Sequence, residues 1–226
     1  MSLPVDASTA DAPGTRRALA VAGAWTFTPA THRDGRGLFR TAYDERDHRA
    51  FAGAPLFPLA QVSTSRSRAG VVRGIHFTRT PPGVAKYVSC VHGSVLDYVV
   101  DLRTGSPTFG AWDVVRLDAE HGRAVYLPVG VGHAFAALSD DATMTYLLSG
   151  TYVPENELAL SIHDPRIRLR LPRPVGRDAP VLSARDRDAP TLAELDAAGL
   201  LPDHSTSTAL EAALGGRLPR PVEETA

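Results

Sequence analysis

Cysteine is almost absent from this chain. One residue in 226, Cys90, rules out an intramolecular disulfide framework and any cysteine-based zinc cluster within a single chain. Its apolar surroundings mark it as a buried, inert thiol rather than a nucleophile. Long hydrophobic runs are missing too: no stretch approaches the length of a transmembrane helix. The opening segment, MSLPVDASTADAPGTRR, lacks the basic-then-apolar order of a signal peptide. Nor is there an excess of either charge, with 24 Lys plus Arg against 25 Asp plus Glu and no long basic run. These absences lead us to expect a soluble, cytoplasmic protein with neither nucleic acid nor a membrane as partner.

What is present is an ordinary apolar share, 43%, enough for a sizeable core. Residues 1–18, rich in small residues, Pro and Asp, read as a mobile tail. An alternating segment near Ala24-Trp25-Thr26-Phe27-Thr28 reads as the first strand. A polar turn region at 32–37 follows, then 38–43, and a loop or short helix at 44–48. From Gly70 on, short β-like runs alternate with turn residues: 71–77, 85–91, 95–101, 112–117, 123–128, 133–138 and 143–149. Strands so regularly spaced predict an all-β sandwich or barrel rather than βαβ units, here assigned to residues 19–190. Residues 191–226 read as a helical or flexible extension. Thr191 begins one short helix with a suitable N-cap, a second spans Thr208 to Leu214 and stops at Gly215-Gly216, and the stretch after Pro202 is loosely held.

Several polar side chains interrupt these strands. In Val72-Arg73-Gly74-Ile75-His76, His76 shares a face with Gly74 and Val72, not with Arg73. Both polar groups reach one cavity only if the strand bulges, and Gly74 is the place for that. Alone, the segment is open to another reading, a core histidine beside a surface arginine. Lys86 shares its parity with Val88 and Cys90, which points it inward, where a lysine is costly unless it meets an anion. Asp97 and Asp101 share a parity, and either is available to balance Lys86 or Arg73. Asp101 reads better as an acceptor within the turn that follows it.

Pro128-Val129-Gly130-Val131-Gly132-His133 fits P-x-G-x-x-H and resembles the second motif of the cupin superfamily; Gly70 to His76 matches the opening of the first. The resemblance implies a cupin-type double-stranded β-helix, a jelly-roll barrel with short peripheral helices near the C-terminus. A metal cupin carries a second His two residues after the first, then a carboxylate. Thr78 and Pro81-Pro82-Gly83 stand there instead. Two imidazoles are too few donors for a divalent ion, so no metal is expected.

Longer segments narrow the resemblance. Val71 to Phe77, the Lys86 strand, Val100 to Gly110, Tyr126 to Phe135, Thr145-Tyr146, Tyr152 to Glu157 and Leu182 to Asp186 closely resemble the dTDP-4-dehydrorhamnose 3,5-epimerase family. The variant Gly74-Ile75-His76-Phe77-Thr78 is similar to its antibiotic-type deoxysugar branch. The resemblance implies His76 as base, Asp186 as its orienting partner, Tyr146 as the opposing acid and Lys86 as stabiliser of an enolate oxygen. It implies Arg73 on a diphosphate, Gln61 and Arg36 near the nucleotide, Tyr152 among the substrate-binding residues, and His133 as a pocket residue behind the reacting groups. It further implies a dTDP-linked 4-ketosugar as substrate, no cofactor, and a homodimer in which the segment around 25–43 joins the partner. The chemistry suits these residue types: protons beside a carbonyl are acidic, and an imidazole, ordinarily titrating near ~6.5, is a competent base at neutral pH.

Two positions depart from the family pattern. Thr41 stands where family members carry Glu, and Thr151 precedes Tyr152 where two aromatics are usual. Both bear on the identity of the sugar rather than on the reaction. A metal-dependent cupin oxygenase or isomerase is the alternative enzyme, and a sugar-nucleotide binder without catalysis is the third reading. A pure binder, however, has no need of paired acid and base.

Overall fold

The computed structural model describes residues 12–52, 55–174 and 178–215. Thirteen strands and four α-helices are present among them. Strands β1 (Thr15–Ala18), β2 (Trp25–Thr28), β5 (Gln61–Ser67), β7 (Lys86–His92), β10 (Ala124–Leu127) and β12 (Ala142–Leu148) make one sheet, in the order β1-β2-β10-β7-β12-β5. Strands β6 (Val72–Thr78), β8 (Ser94–Asp101), β9 (Trp112–Asp118), β11 (Val131–Ala137) and β13 (Glu157–Ala159) make the other, in the order β13-β6-β11-β8-β9. All strand pairings are antiparallel, β1 pairs with β2 within one sheet, and apart from the β8–β9 pair successive strands from β5 to β13 alternate between the two sheets, which makes this a jelly-roll barrel of the cupin type. A separate hairpin joins β3 (Thr31–Asp34) to β4 (Gly37–Arg40).

Side-chain alternation explains the layering. On β8, Val95 and Val99 face the space between the sheets, while Leu96, Tyr98 and Val100 face outward into a second cluster. Both faces of this strand are buried, which is why its sequence is a nearly unbroken apolar run. The outer cluster is covered by Leu160, Ile162, Ile167 and by Leu192 and Leu195 of α3 (Leu192–Ala197). A third cluster lies behind the six-stranded sheet, where Trp25, Tyr87 and Tyr126 meet Leu56, Phe57 and the C-terminal helix α4 (His204–Gly215). Helix α1 (Glu45–Ala52) sets His48 against Trp25 and Tyr43. No helix among the described residues is long and apolar enough to cross a membrane.

Several expectations need adjusting. The tail expected through residue 18 contains β1, which pairs with β2 from Thr15↔Thr28 to Ala18↔Trp25; residues 1–11 lie outside the described residues. Of the stretch after Pro202 that was expected to be loosely held, residues 203–215 are ordered against the barrel, and residues 216–226 lie outside the described residues. Helix α4 starts four residues before the expected Thr208, because Asp203 accepts hydrogen bonds from the Thr206 amide and from the hydroxyls of Ser205 and Thr206. It closes against the barrel through Leu210 and Leu214, and Glu211 Oε2 accepts from the Val129 amide at 2.9 Å. The expected stop at Gly216 also lies outside the described residues. The N-cap expected at Thr191 is present and is part of a full capping box, with Glu194 as its second member.

Burial pushes the Glu211 carboxyl up to about 7, against the opposing pull of the Val129 amide and Arg103. The folded chain therefore holds this proton more tightly than the unfolded chain, and stability falls as pH rises from the ordinary glutamate range through about 7. Glu211→Gln keeps the acceptor and removes the ionisation. It is expected to raise stability at pH 8 by roughly 1–3 kcal/mol, several degrees in Tm, with no gain at pH 4. Thermal unfolding at both pH values checks this; equal gains at pH 4 and pH 8 would contradict it.

Candidate active site

One end of the space between the sheets is filled by Val88, Cys90, Val99, Met144 and Phe135. The other opens as a cavity of about 320 Å³, lined from the six-stranded sheet by Gln61, Ser63, Ser65, Lys86, Tyr146 and Leu148, and from the five-stranded sheet by Arg73, His76, His133 and Phe135. Cys90, in the packed part, is fully buried, and that burial pushes its thiol up to about 11, as suits an inert thiol.

Gly74 sets the position of His76. Register along β6 and β11 shifts between His133↔His76 and Phe135↔Arg73, and this irregularity lets Arg73 and His76 line one cavity. Gly74 takes φ +115, and a Cβ there would sit 2.5 Å from the His133 carbonyl oxygen and 2.6 Å from Ala134 Cβ. The bulge predicted at Gly74 is thus enforced by backbone packing.

His76 Nε2 donates to Asp186 Oδ1 at 2.6 Å. Asp186 stands on the short helix α2 (Ala184–Arg187), almost wholly buried, and its amide donates to Ser183 Oγ at 3.1 Å. Burial alone would raise its carboxyl, but hydrogen bonds from His76, Ser183 and the Gly74 amide hold it below the usual carboxylate range. An ionised Asp186 fixes the imidazole proton on Nε2 and leaves Nδ1 as the basic nitrogen.

Tyr146 lies on the facing sheet. Its hydroxyl is 2.9 Å from Ser65 Oγ, and burial pushes the phenol up to about 12, so it keeps its proton across the physiological range. Lys86 shares the cavity, and burial draws its ammonium below the ordinary lysine value, with Glu157 acting to raise it and Arg185 to lower it. Arg73 is held by Ser67 Oγ at 3.0 Å and the Arg66 carbonyl at 3.2 Å. Gln61 donates to Ser63 Oγ at 2.7 Å and accepts from the Tyr152 amide at 2.8 Å, which places the exposed Tyr152 ring at the mouth.

The structure departs from the sequence reading at Asp97 and at Arg36, and bears it out at Asp101. Asp97 balances neither Lys86 nor Arg73: its Oδ2 accepts from His133 Nε2 at 2.6 Å, fully buried, in a second histidine–aspartate pair behind the ring of Tyr146. Asp101 is, as preferred, a turn acceptor, bound by Arg103, Ser106 and Thr108. Arg36 is not brought to this cavity. It lies at the tip of the β3–β4 hairpin, paired with Asp34 and almost fully exposed, because the two-residue turn projects it away from the barrel. Sequence reasoning also missed Ser63, Ser65, Glu157 and Arg185 as lining residues. The period-two row Gln61, Ser63, Ser65, Ser67 was the available signal. Among the described residues, no three His, Cys, Asp or Glu side chains gather in a way that could hold a metal ion.

A second cavity, about 490 Å³, adjoins the first and shares Val84, Gly150, Thr151 and Glu157 with it. Its outer wall is Leu210, Ala213 and Leu214 of α4.

Comparison with known proteins agrees with this geometry. The family model described as dTDP-4-dehydrorhamnose 3,5-epimerase matches residues 18–194. The structure of the rmlC epimerase of Mycobacterium tuberculosis superposes with a TM-score of 0.84 at 45% identity, covering 88% of this chain and 99% of that one. NovW, a 4-keto-6-deoxy sugar epimerase from the novobiocin biosynthetic gene cluster of Streptomyces spheroides, gives 0.81 at 49% identity over 85% of this chain and 94% of its own. ChmJ, a 3'-monoepimerase from Streptomyces bikiniensis in complex with dTDP-quinovose, gives 0.80 at 43% identity over 87% and 97%.

Proposed function

Because the chain belongs to the dTDP-4-dehydrorhamnose 3,5-epimerase family, we propose that it inverts C3, C5 or both of a dTDP-linked 4-keto-6-deoxyhexose in deoxysugar biosynthesis. The observation that carries this reading is the pairing across one cavity of the His76–Asp186 dyad with Tyr146, with Lys86 beside them. His76 takes the proton from a carbon next to the carbonyl. The electron pair moves onto the carbonyl oxygen, where the Lys86 ammonium stabilises the enolate. Tyr146, on the opposite sheet, returns a proton to the other face and inverts the centre. The sequence is redox-neutral and our reading invokes no cofactor. Arg73 holds the diphosphate, with Gln61 near the nucleotide, Tyr152 among the substrate-binding residues and His133 supporting the floor. The metal-dependent alternative fits less well, because no third His, Cys, Asp or Glu among the described residues joins the two imidazoles as a ligand set for a divalent ion.

We assign the working unit as a cytoplasmic homodimer. The exposed Leu38 and Phe39 on the β3–β4 hairpin offer an apolar surface to a second copy, whose cavity Arg36 then serves. Thr151 lines both cavities where family members carry an aromatic, and this supports a modified hexose as substrate. Incubation with dTDP-4-keto-6-deoxyglucose in deuterated water tests the reaction. Deuterium is expected at C3, C5 or both by NMR; no incorporation with this or related 4-ketosugars would sink the proposal.

A further inference from the structure

Strand β5 is the one cavity wall with almost no apolar content. Its inward side chains are Gln61, Ser63, Ser65 and Ser67, and each is held by a hydrogen bond: Ser67 holds Arg73, Gln61 holds Ser63 and the Tyr152 amide, and Ser65 holds Tyr146. Register explains the last contact. Tyr146 lies opposite Ser63 on the neighbouring strand, so Ser65 is its diagonal neighbour on the same face, within reach of a long aromatic side chain.

We propose that Ser65 is a positioning residue for the acid: it aims the Tyr146 hydroxyl into the cavity and donates to the phenolate that remains once the proton has been delivered. The inference rests on the epimerase reading and deepens it. During inversion the Tyr146 O–H bond breaks as the new C–H bond forms, and the negative charge moves from the enolate to the phenolic oxygen. That oxygen sits in a largely buried place where a bare phenolate is disfavoured, as the upward shift of its phenol shows. The Ser65 hydroxyl, 2.9 Å away, can rotate from acceptor to donor as the charge arrives. A hydrogen bond to a charged acceptor is shorter and stronger than one to a neutral group, so this contact favours the state after proton delivery over the state before it. The phenolate then recovers a proton through the serine from cavity water.

Proton removal by His76 does not use this contact, so the two half-reactions should separate. In deuterated water, Ser65→Ala is expected to retain solvent exchange at the substrate carbon within about threefold, while inversion of that carbon falls about 10- to 100-fold with little change in KM. Ser65→Thr keeps the hydroxyl and should restore inversion to within a few-fold. Retained exchange itself reports a folded, substrate-binding site. Normal inversion by Ser65→Ala, an equal fall of exchange and inversion, or failure of Ser65→Thr to restore inversion would each overturn the assignment. Absence of exchange and inversion in the unaltered protein would instead sink the epimerase reading, and this inference with it.

Discussion

His76→Ala is expected to lower solvent exchange at the carbons beside the carbonyl by at least about a thousandfold, the upper part of the range for a positioned general base. The loss should appear in kcat, because the imidazole acts on the C–H proton rather than on the nucleotide. Asp186→Asn is expected to cost nearly as much. Its amide can donate to Nε2 and so favours the wrong tautomer, with the proton on Nδ1, the nitrogen the reaction needs free. Tyr146→Phe should behave differently. It leaves the base and the Lys86 ammonium in place, so hydrogen at the reacting carbon still washes out while inversion is largely lost. NMR in deuterated water separates the two signatures. Exchange by His76→Ala within tenfold of the unaltered protein would show that another group is the base.

Gly74→Ala is expected to damage fold and site together. The substitution places a methyl group within 2.5 Å of one backbone oxygen and 2.7 Å of a backbone Cα, at φ +115. Left-handed strain and overpacking each cost about 1–3 kcal/mol, so a combined loss near 4 kcal/mol and a fall in Tm of roughly 10 °C are expected. Gly105 supplies the comparison: its φ is +79, and nothing lies within 4 Å of an added Cβ. Gly105→Ala should therefore cost only about 1 kcal/mol. Equal melting temperatures for the two variants would mean that the β6–β11 contact yields easily, contrary to its close packing.

The parts of the fold that were legible in the sequence are those whose apolar pattern reports burial. Strands β6 to β12 stood out because their inward faces, and for β8 both faces, are packed by hydrophobic side chains. Strand β5 was invisible to the same test because its inward face lines the cavity, and its alternation is of small polar groups. The early start of α4 depended on Asp203 as a cap, a local signal readable from its spacing to Thr206 but outweighed by the polar composition around it. His76, Lys86, Tyr146 and Asp186 were legible largely through family resemblance, and the geometry brings His76 and Asp186 into contact across 110 positions of sequence. The partner of Asp97 was not legible. Parity fixed its inward face, but the depth at which it meets His133 depends on the β8–β11 register, where Asp97 stands opposite Phe135 and Val99 opposite His133.

The wall that α4 contributes to the adjoining cavity has an evolutionary consequence. The proposed acid, base and lysine are all carried by strands of the barrel, whereas Leu210, Ala213 and Leu214 belong to a C-terminal helix attached by side-chain packing, the Glu211 bond and backbone bonds to Thr104 at its start. Changes on that helix alter the room beside the proposed reacting centre while leaving the strands assigned to proton transfer untouched. Substrate range and chemical step can thus diverge independently, so that enlarging or narrowing the accepted sugar does not require rebuilding the catalyst.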